Sequence, residues 1–395
     1  MSDRTILVIN AGSSSLKFGL YAEQDGAEQL LLDGLADDIG RPSSKIVLKD
    51  AQGRVLRSES LPLASNRDVL DRAAKWLDEL SQGNPCAIGH RVVHGGPRLV
   101  AHQRITPAVL GELEACVHFA PLHIPLALDL VEMAGRSYPA VPQFACFDTA
   151  FHATIPEAAA RFALPRPLFD EGIRRYGFHG LSYESIVQEL GEALPGRTVI
   201  AHLGNGASLA ALKDGRSVDT TMGLTPTGGI PMATRSGDLD PGVLLFLLRV
   251  KQLNADSLEN LLNNDSGLTA LSGGKADMRD LEAAANSGDR HSQLAIEVFC
   301  ASIRKVVAAY AAVLGGLDML VFAGGIGEHS ATVRGSVCRG LDFLGIAIDD
   351  LSNQLHRSTI SANDGKVRVR VVASQEDVQI ARHCRTLLRG SAGVI

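Results

Sequence analysis

Residues 6–21 read ILVINAGSSSLKFGLY, and their centre crowds Asn10, Ser13, Ser14, Ser15 and Lys17 around Gly12. Hydroxyls and backbone N–H groups around a glycine form a concavity of phosphate size, to which Lys17 adds positive charge. Asn10 and the serines also offer hard oxygen atoms that suit a hydrated Mg2+. The same composition makes an ordinary Ser/Gly turn, and by itself the stretch leaves both readings open. Arg91 (in HRVVHGG) and Arg235 (in TRSGD) each present a guanidinium, which stays charged and grips a carboxylate or phosphoryl group with two donors. In such contexts an arginine also forms structural ion pairs. His179 stands between Phe178 and Gly180, where glycine lets the backbone approach a ligand, although a histidine beside an apolar residue often fills a core. Asp148 follows a strand, where a carboxylate serves a site or closes a turn.

The elements that must position these groups follow from the apolar pattern. Ile6–Ile9, a polar turn and the alternating Leu16, Phe18, Leu20 predict a β-hairpin. The segment HLGNGASLAAL at 202–212 has the same form as NAGSSSLKFGL at 10–20: Asn10 faces His202, Gly12 faces Gly204, and Leu20 faces Leu212. The offset is 202 − 10 = 192 residues, near half the chain, which predicts two copies of one domain type, each presenting a phosphate-sized turn to a shared cleft. Other predicted strands are 29–33, 45–48, 54–61, 87–93, 143–147, 198–202, 218–222, 319–323 and 368–373. Helices are expected at 66–80, 106–117, 126–134, 183–194, 243–251, 255–262 and 290–314, with a last one from Asp377. A third Gly-rich strand–turn is expected at 323–329, and a domain boundary near residue 150, before the Pro156–Pro167 stretch.

A chain of 395 residues is too long for one ordinary core. A net charge of −6 leaves no basic footprint for nucleic acid or an anionic membrane. The six cysteines form no C-x-x-C pair, so a zinc site is not expected, and free thiols in a reducing cytoplasm are. Residues 1–4 lead straight into a strand, with no signal peptide. The apolar run 306–327 is broken by Gly315, Gly316 and Asp318, and reads as helix then buried strand rather than a membrane span. The chain has no G-x-x-x-x-G-K-[ST], no G-x-G-x-x-G opening a helix after a strand, and no H-R-D or D-F-G set. Two Gly-rich hairpins and a third Gly-rich turn point instead to the α/β architecture of actin, sugar kinases and heat-shock ATPases, an analogy of fold.

VINAGSSSLKF, RVVHGG, FDTAFH, RRYGFHG, HLGNGAS, TRSGDLDPG, KADMRD and AGGIGEHS occur in the order and at the spacing of acetate kinases and their propionate-kinase relatives. Over nearly its whole length the chain resembles that family. The resemblance implies a duplicated actin-like fold, with 1–150 plus 380–395 as an acid- and metal-side domain and 151–379 as a nucleotide-binding domain that forms a homodimer. It implies reversible, Mg2+-dependent (Mn2+ also serving), in-line phosphoryl transfer from ATP to acetate, giving acetyl phosphate and ADP. Propionate or another short-chain acid is the alternative acceptor; a non-catalytic nucleotide switch fits less well, because two cleft arginines are not needed there.

By the same resemblance Arg91 binds the carboxylate, Arg235 stabilises the transferring phosphoryl, and His179 donates a hydrogen bond to the transition state. Asp148 belongs to the active site. An acceptor acid with a pKa of about 4–5 is already ionised, so Asp148 is expected to orient Arg91 or metal-bound water rather than remove a proton. Asn10 and Glu376 fall on the metal side. Val93, Leu122, Phe178 and Pro231 line an acyl pocket, with His123 beside it. The nucleotide side comprises Ser13, Ser15 and Lys17; His202, Leu203, Gly204, Asn205 and Gly206; Asp277, Met278 and Arg279; and Gly325, Ile326, Gly327, Glu328 and His329. The sequence departs from the family at Gln375-Glu376-Asp377 (usually Asn-Glu-Glu), at His329 (usually Asn), and at Leu181 and Tyr183 (more often Thr and His). The His329 departure bears on the phosphoryl donor, nucleotide or pyrophosphate.

Overall fold

The computed structural model describes residues 5–12, 15–41, 43–80, 84–121 and 123–391; the expectations at Ser13 and Leu122 lie outside the described residues. Packing divides the chain into two units, residues 1–150 with 375–395, and residues 151–374. The chain re-enters unit 1 at Gln375 rather than at residue 380, because the last helix, Glu376–Ser391, begins there.

Unit 1 holds β1 (Ile6–Ala11), β2 (Leu16–Gln24), β3 (Ala27–Asp37), β4 (Lys45–Asp50), β5 (Val55–Ser60), β6 (Ala87–Val92), β7 (Gln103–Arg104) and β8 (Gln143–Phe147). They form one sheet in the order β5-β4-β3-β2-β1-β6-β8-β7. Unit 2 holds β9 (Arg197–Leu203), β10 (Ala207–Lys213), β11 (Arg216–Thr220), β12 (Met319–Ala323) and β13 (Arg368–Val371), in the order β11-β10-β9-β12-β13. Five strands of the first sheet, β3-β2-β1-β6-β8, repeat the order of the second. In both, the first three are antiparallel and the last three parallel. This is the duplicated α/β plan expected from the paired hairpins. The residue-by-residue match slips at the turn, however. Ala11 pairs Leu16 across four turn residues, whereas Leu203 pairs Ala207 across three. The partner of Leu20 is therefore Ala211, not Leu212.

In the centre of sheet 1, β1 and β6 are covered on both faces, which is why β1 is a continuous apolar run. Leu7 and Ile9 pack with Leu70, Ala73, Trp76 and Leu77 of the helix Asn66–Leu80. The opposite face, that of Val8 and Gly89, receives the last helix. A Cβ at Gly89 would stand 2.5 Å from Ile380 and 2.6 Å from the Cys384 thiol, so only glycine admits the helix this close. Arg389 pairs with Glu23 at 2.6 Å, and Arg385 with Glu28, tying the helix to the β2–β3 hairpin.

In unit 2 the expected Gly-rich turn at 323–329 is a short helix, Gly324–His329, directly after β12. Gly324, at φ +73°, makes the corner, and the residues after it close helical turns that the glycine content concealed. All six cysteines are free thiols. Among the described residues no helix is long and apolar enough to cross a membrane.

Candidate active site

In unit 1 the pleat decides what meets what. Arg91 lies two residues after Gly89 on β6, and Asn10 two after Val8 on β1, so both side chains point toward the start of the last helix. Asp148 follows β8, and its backbone N–H donates to Val92 O at 3.0 Å. Arg91 Nε donates to both Asp148 oxygens at 3.1 Å, and Nη2 to Oδ2 at 2.6 Å. Arg91 Nη1 donates to Asn10 Oδ1 at 3.2 Å, and Asn10 Nδ2 donates to Asp377 Oδ1 at 2.6 Å. Glu376 lies 4.0 Å from Arg91 Nε. The Asp148 side chain is 1% exposed and that of Arg91 19%.

Burial works against the charge on Arg91, but Asp148, Glu376 and Asp377 outweigh it and raise its pKa above the ordinary value. Burial raises the Asp377 pKa; the Asn10 hydrogen bond opposes this, and the neighbouring Glu376 charge adds to it. Lys17, exposed and directly across from Asn10 in the hairpin, supplies a weaker opposing charge. Three carboxylates thus gather around two cations, and the donors of Asn10, Glu376 and Asp377 are hard oxygens. That set fits Mg2+. Gly12 N–H donates to Ser15 O at 2.8 Å and closes the hairpin turn. Val93 follows β6, half-buried. His123 begins the helix Ile124–Ser137, its backbone N–H donating to Ala120 O at 3.0 Å.

In unit 2 a second group forms at the β9–β10 turn. His179 occupies the left-handed region at φ 59°, a conformation that costs a non-glycine residue energy and recurs at functional sites. It precedes the helix Gly180–Leu190. His179 Nδ1 meets Ser208 Oγ at 2.9 Å, and its ring stacks on His202 with centroids 4.3 Å apart. His202 Nδ1 meets Ser182 Oγ at 2.8 Å. Gly204 N–H donates to Gly206 O at 3.0 Å, and Ala233 N–H to Asn205 O at 3.1 Å, which ties the Arg235 loop to the turn. A Cβ at Gly206 would lie 3.1 Å from His179 Nε2 and 3.5 Å from Arg235 Nη1. His179, Arg235 and the bare Gly206 backbone therefore share one spot. Arg235 Nη1 also donates to Pro226 O at 3.3 Å. Phe178 and Leu203 are buried, and Pro231 is half-buried.

The segments expected on the nucleotide side are fixed by helix ends. Asp277 caps the helix Met278–Asn286 by accepting from Arg279 N at 2.8 Å, and pairs with the exposed Arg279 side chain at 2.6 Å. Ser330 donates to Glu282 and so joins this helix to the end of Gly324–His329. Gly325 and Ile326 open that short helix; Arg334, fully buried, donates to Gly327 O and Glu328 O at 2.8 and 2.9 Å. Glu328 Oε1 accepts from Ser374 N at 3.1 Å. The His329 ring lies 6.4 Å from that of His356.

Sequence reasoning missed Asp377 as the partner of Asn10, because 367 residues separate them. It also missed His152, whose Nδ1 meets Ser217 Oγ at 2.8 Å and whose Nε2 meets the Phe178 carbonyl at 3.0 Å, fixing the residue before His179. The His at the end of FDTAFH was the available signal.

Residues 5–382 match the model of the acetokinase family. The chain is 43% identical to an acetate kinase of Methylocella silvestris over 98% of each chain. A propionate kinase structure from Francisella tularensis superposes with a TM-score of 0.91 at 37% identity, covering 97% of this chain and 99% of that one. The acetate kinase structure from Porphyromonas gingivalis gives 0.87 at 37% identity, with the same coverage. With a family match spanning nearly the whole sequence and relatives alike from end to end, the chain belongs to the acetokinase family.

Proposed function

We propose that this enzyme transfers the terminal phosphoryl group of ATP to acetate, reversibly and in line, giving acetyl phosphate and ADP. The observation that carries this reading is Arg91: a guanidinium locked by a buried carboxylate at the carboxyl ends of parallel strands, where open α/β sheets bind ligands. Arg91 holds the acid's carboxylate. Asp148 fixes the Arg91 fork and removes no proton, since the acid is already ionised. Arg235 and His179 neutralise charge spread over the transferring phosphoryl, and the Gly204–Gly206 backbone leaves room for it. Asn10, Glu376 and Asp377 would hold Mg2+, which when bound neutralises phosphate oxygens. Lys17, Ser15, His202, Asp277 and the helix Gly324–His329 serve the nucleotide.

Val93, Phe178 and Pro231 suit a short alkyl tail. One methylene is worth only ~1–3 kcal/mol, so propionate is the second reading, favoured by the likeness to the Francisella propionate kinase structure. Free thiols suit a reducing cytoplasm. Leu239, Val243, Leu245, Phe246, Leu248 and Val250 are all more than a third exposed in and around the helix Pro241–Arg249, an apolar face that supports a homodimer through unit 2.

The test is incubation with Mg-ATP and acetate, propionate, butyrate or glucose, trapping acyl phosphate as hydroxamate. The expected order is acetate first and propionate second, with no hydroxamate from glucose. No hydroxamate from any acid refutes the reading. Replacing ATP by GTP or pyrophosphate identifies the donor.

A further inference from the structure

Tyr183, on the helix Gly180–Leu190, is wholly buried. Its hydroxyl lies 2.5 Å from Ser208 Oγ, and the same Oγ lies 2.9 Å from His179 Nδ1. Ser208 is itself wholly buried. One serine hydroxyl therefore serves both a phenol and an imidazole, with a single proton to give.

Three proton arrangements satisfy the distances; in one of them Ser208 Oγ accepts from both Tyr183 and His179, which leaves the buried Ser208 proton with no acceptor among the described residues. The other two run in opposite directions along the chain. In the first, Tyr183 donates to Ser208 and Ser208 donates to His179 Nδ1. In the second, His179 Nδ1–H donates to Ser208 and Ser208 donates to Tyr183. The second leaves the Tyr183 proton without an acceptor, because Ser208 Oγ is its only hydrogen-bond partner among the described residues. An unmade hydrogen bond at a buried hydroxyl costs about 1–3 kcal/mol. Burial also holds the phenol protonated, with its pKa raised beyond the ordinary tyrosine value.

We propose that Tyr183 is a positioning residue whose phenol, through Ser208, makes His179 Nδ1 an acceptor and keeps His179 as the neutral Nε2–H tautomer. Nε2 is the atom that faces Gly206 beside Arg235. The relay thus delivers one N–H donor to the spot where phosphoryl charge develops. An imidazole at position 183 can donate or accept and titrates near neutrality; a buried phenol only donates here. That the Nε2–H acts on a phosphoryl group rests on the proposed function, whereas the tautomer does not.

The experiment uses the full-length enzyme labelled with 15N-histidine, without substrates, the His179 signals being assigned with His179→Gln. The expected spectrum shows a bare Nδ1 and a protonated Nε2. In Tyr183→Phe the single-tautomer pattern is lost and kcat falls by about 10- to 100-fold, as for outer partners that orient an imidazole, with KM for ATP and acid unchanged. Tyr183→His restores part of kcat. Ser208→Ala gives the same spectral change, and replaces Tyr183→Phe if that variant does not fold. A protonated Nδ1 in the wild type, or a spectrum indifferent to both variants, overturns the relay. A changed spectrum with unchanged kcat upholds the relay and refutes instead the assignment of His179 as donor to phosphate.

Discussion

Replacing Asp148 by Asn removes one charge from the Arg91 cluster while keeping the side chain's shape. The carboxylate is 1% exposed and takes three contacts from Arg91, at 3.1, 3.1 and 2.6 Å. Breaking a buried pair from one side costs about 3–5 kcal/mol. The amide keeps one oxygen acceptor, and Glu376 at 4.0 Å still opposes the Arg91 charge, so the lower end applies, about 3 kcal/mol. If that loss falls on the orientation of Arg91, a decade per ~1.36 kcal/mol makes it about 150-fold in kcat/KM for the acid. The KM for ATP stays within about twofold, since uniform binding of the nucleotide is untouched. The decisive measurement is the ratio of wild type to Asp148→Asn at half-unit steps from pH 6 to 8, with circular dichroism to confirm folding. An orienting carboxylate gives a flat ratio, because the acid is ionised throughout and arginine stays charged. A ratio that climbs along a carboxylate titration makes Asp148 a base, and a ratio near one at every pH removes it from the mechanism; either result refutes the reasoning.

Burial lowers the pKa of His90 to about 4, opposed only by its hydrogen bond to Gln143, and its Nδ1 has no partner among the described residues. Above pH 6.5 neither folded nor unfolded chain carries the proton. As pH falls through 6.5 the unfolded chain takes it and the folded one does not, so stability drops until about pH 4, by about 2 kcal/mol at pH 5. Thermal midpoints at pH 7 and 5 should differ less in His90→Gln than in the wild type. Gly89→Ala forces a methyl to within 2.6 Å of Ile380 and Cys384, and should cost about 1–3 kcal/mol of stability. The last helix should become protease-sensitive and acyl phosphate formation should fall with it. Phe246→Glu places a charge on the exposed apolar face of unit 2; on the proposed homodimer, sedimentation should show dimers for the wild type and monomers for this variant.

The hairpins were readable because turn chemistry and strand alternation are local: β1–β2 and β9–β10 appear where Asn10-Ala11-Gly12 and His202-Leu203-Gly204 interrupt apolar runs. The strand Met319–Ala323 and the helix Arg290–Leu314 also appear with the expected bounds, being long or wholly apolar. The segment after β12 did not, since glycines that make a turn also serve at a helix start, and only packing distinguishes the two. The helix Met278–Asn286 was not among the expected helices, although Asp277 is an ordinary N-cap. In the site, residue type and strand ends made Arg91 and Asp148 candidates with a structural reading open beside each, and the family resemblance singled them out. Their connection to Asp377 was not legible, because nothing local to Asn10 reports a carboxylate 367 residues away. The Tyr183–Ser208–His179 chain depends in the same way on a helix lying against a strand.

The helix Glu376–Ser391 has a consequence for synthesis. The strands of unit 1 are made before those of unit 2, yet the face of β1 and β6 that bears Val8 and Gly89 stays bare until the helix Glu376–Ser391 follows. Asn10 and Arg91 wait for Asp377 and Glu376 over the same interval. Unit 2 is translated in between as one unbroken segment, 151–374, and can finish first. The nascent chain therefore passes through a long stage with one finished unit and one uncovered sheet. An exposed apolar sheet of this kind is prone to aggregation until the last helix covers it.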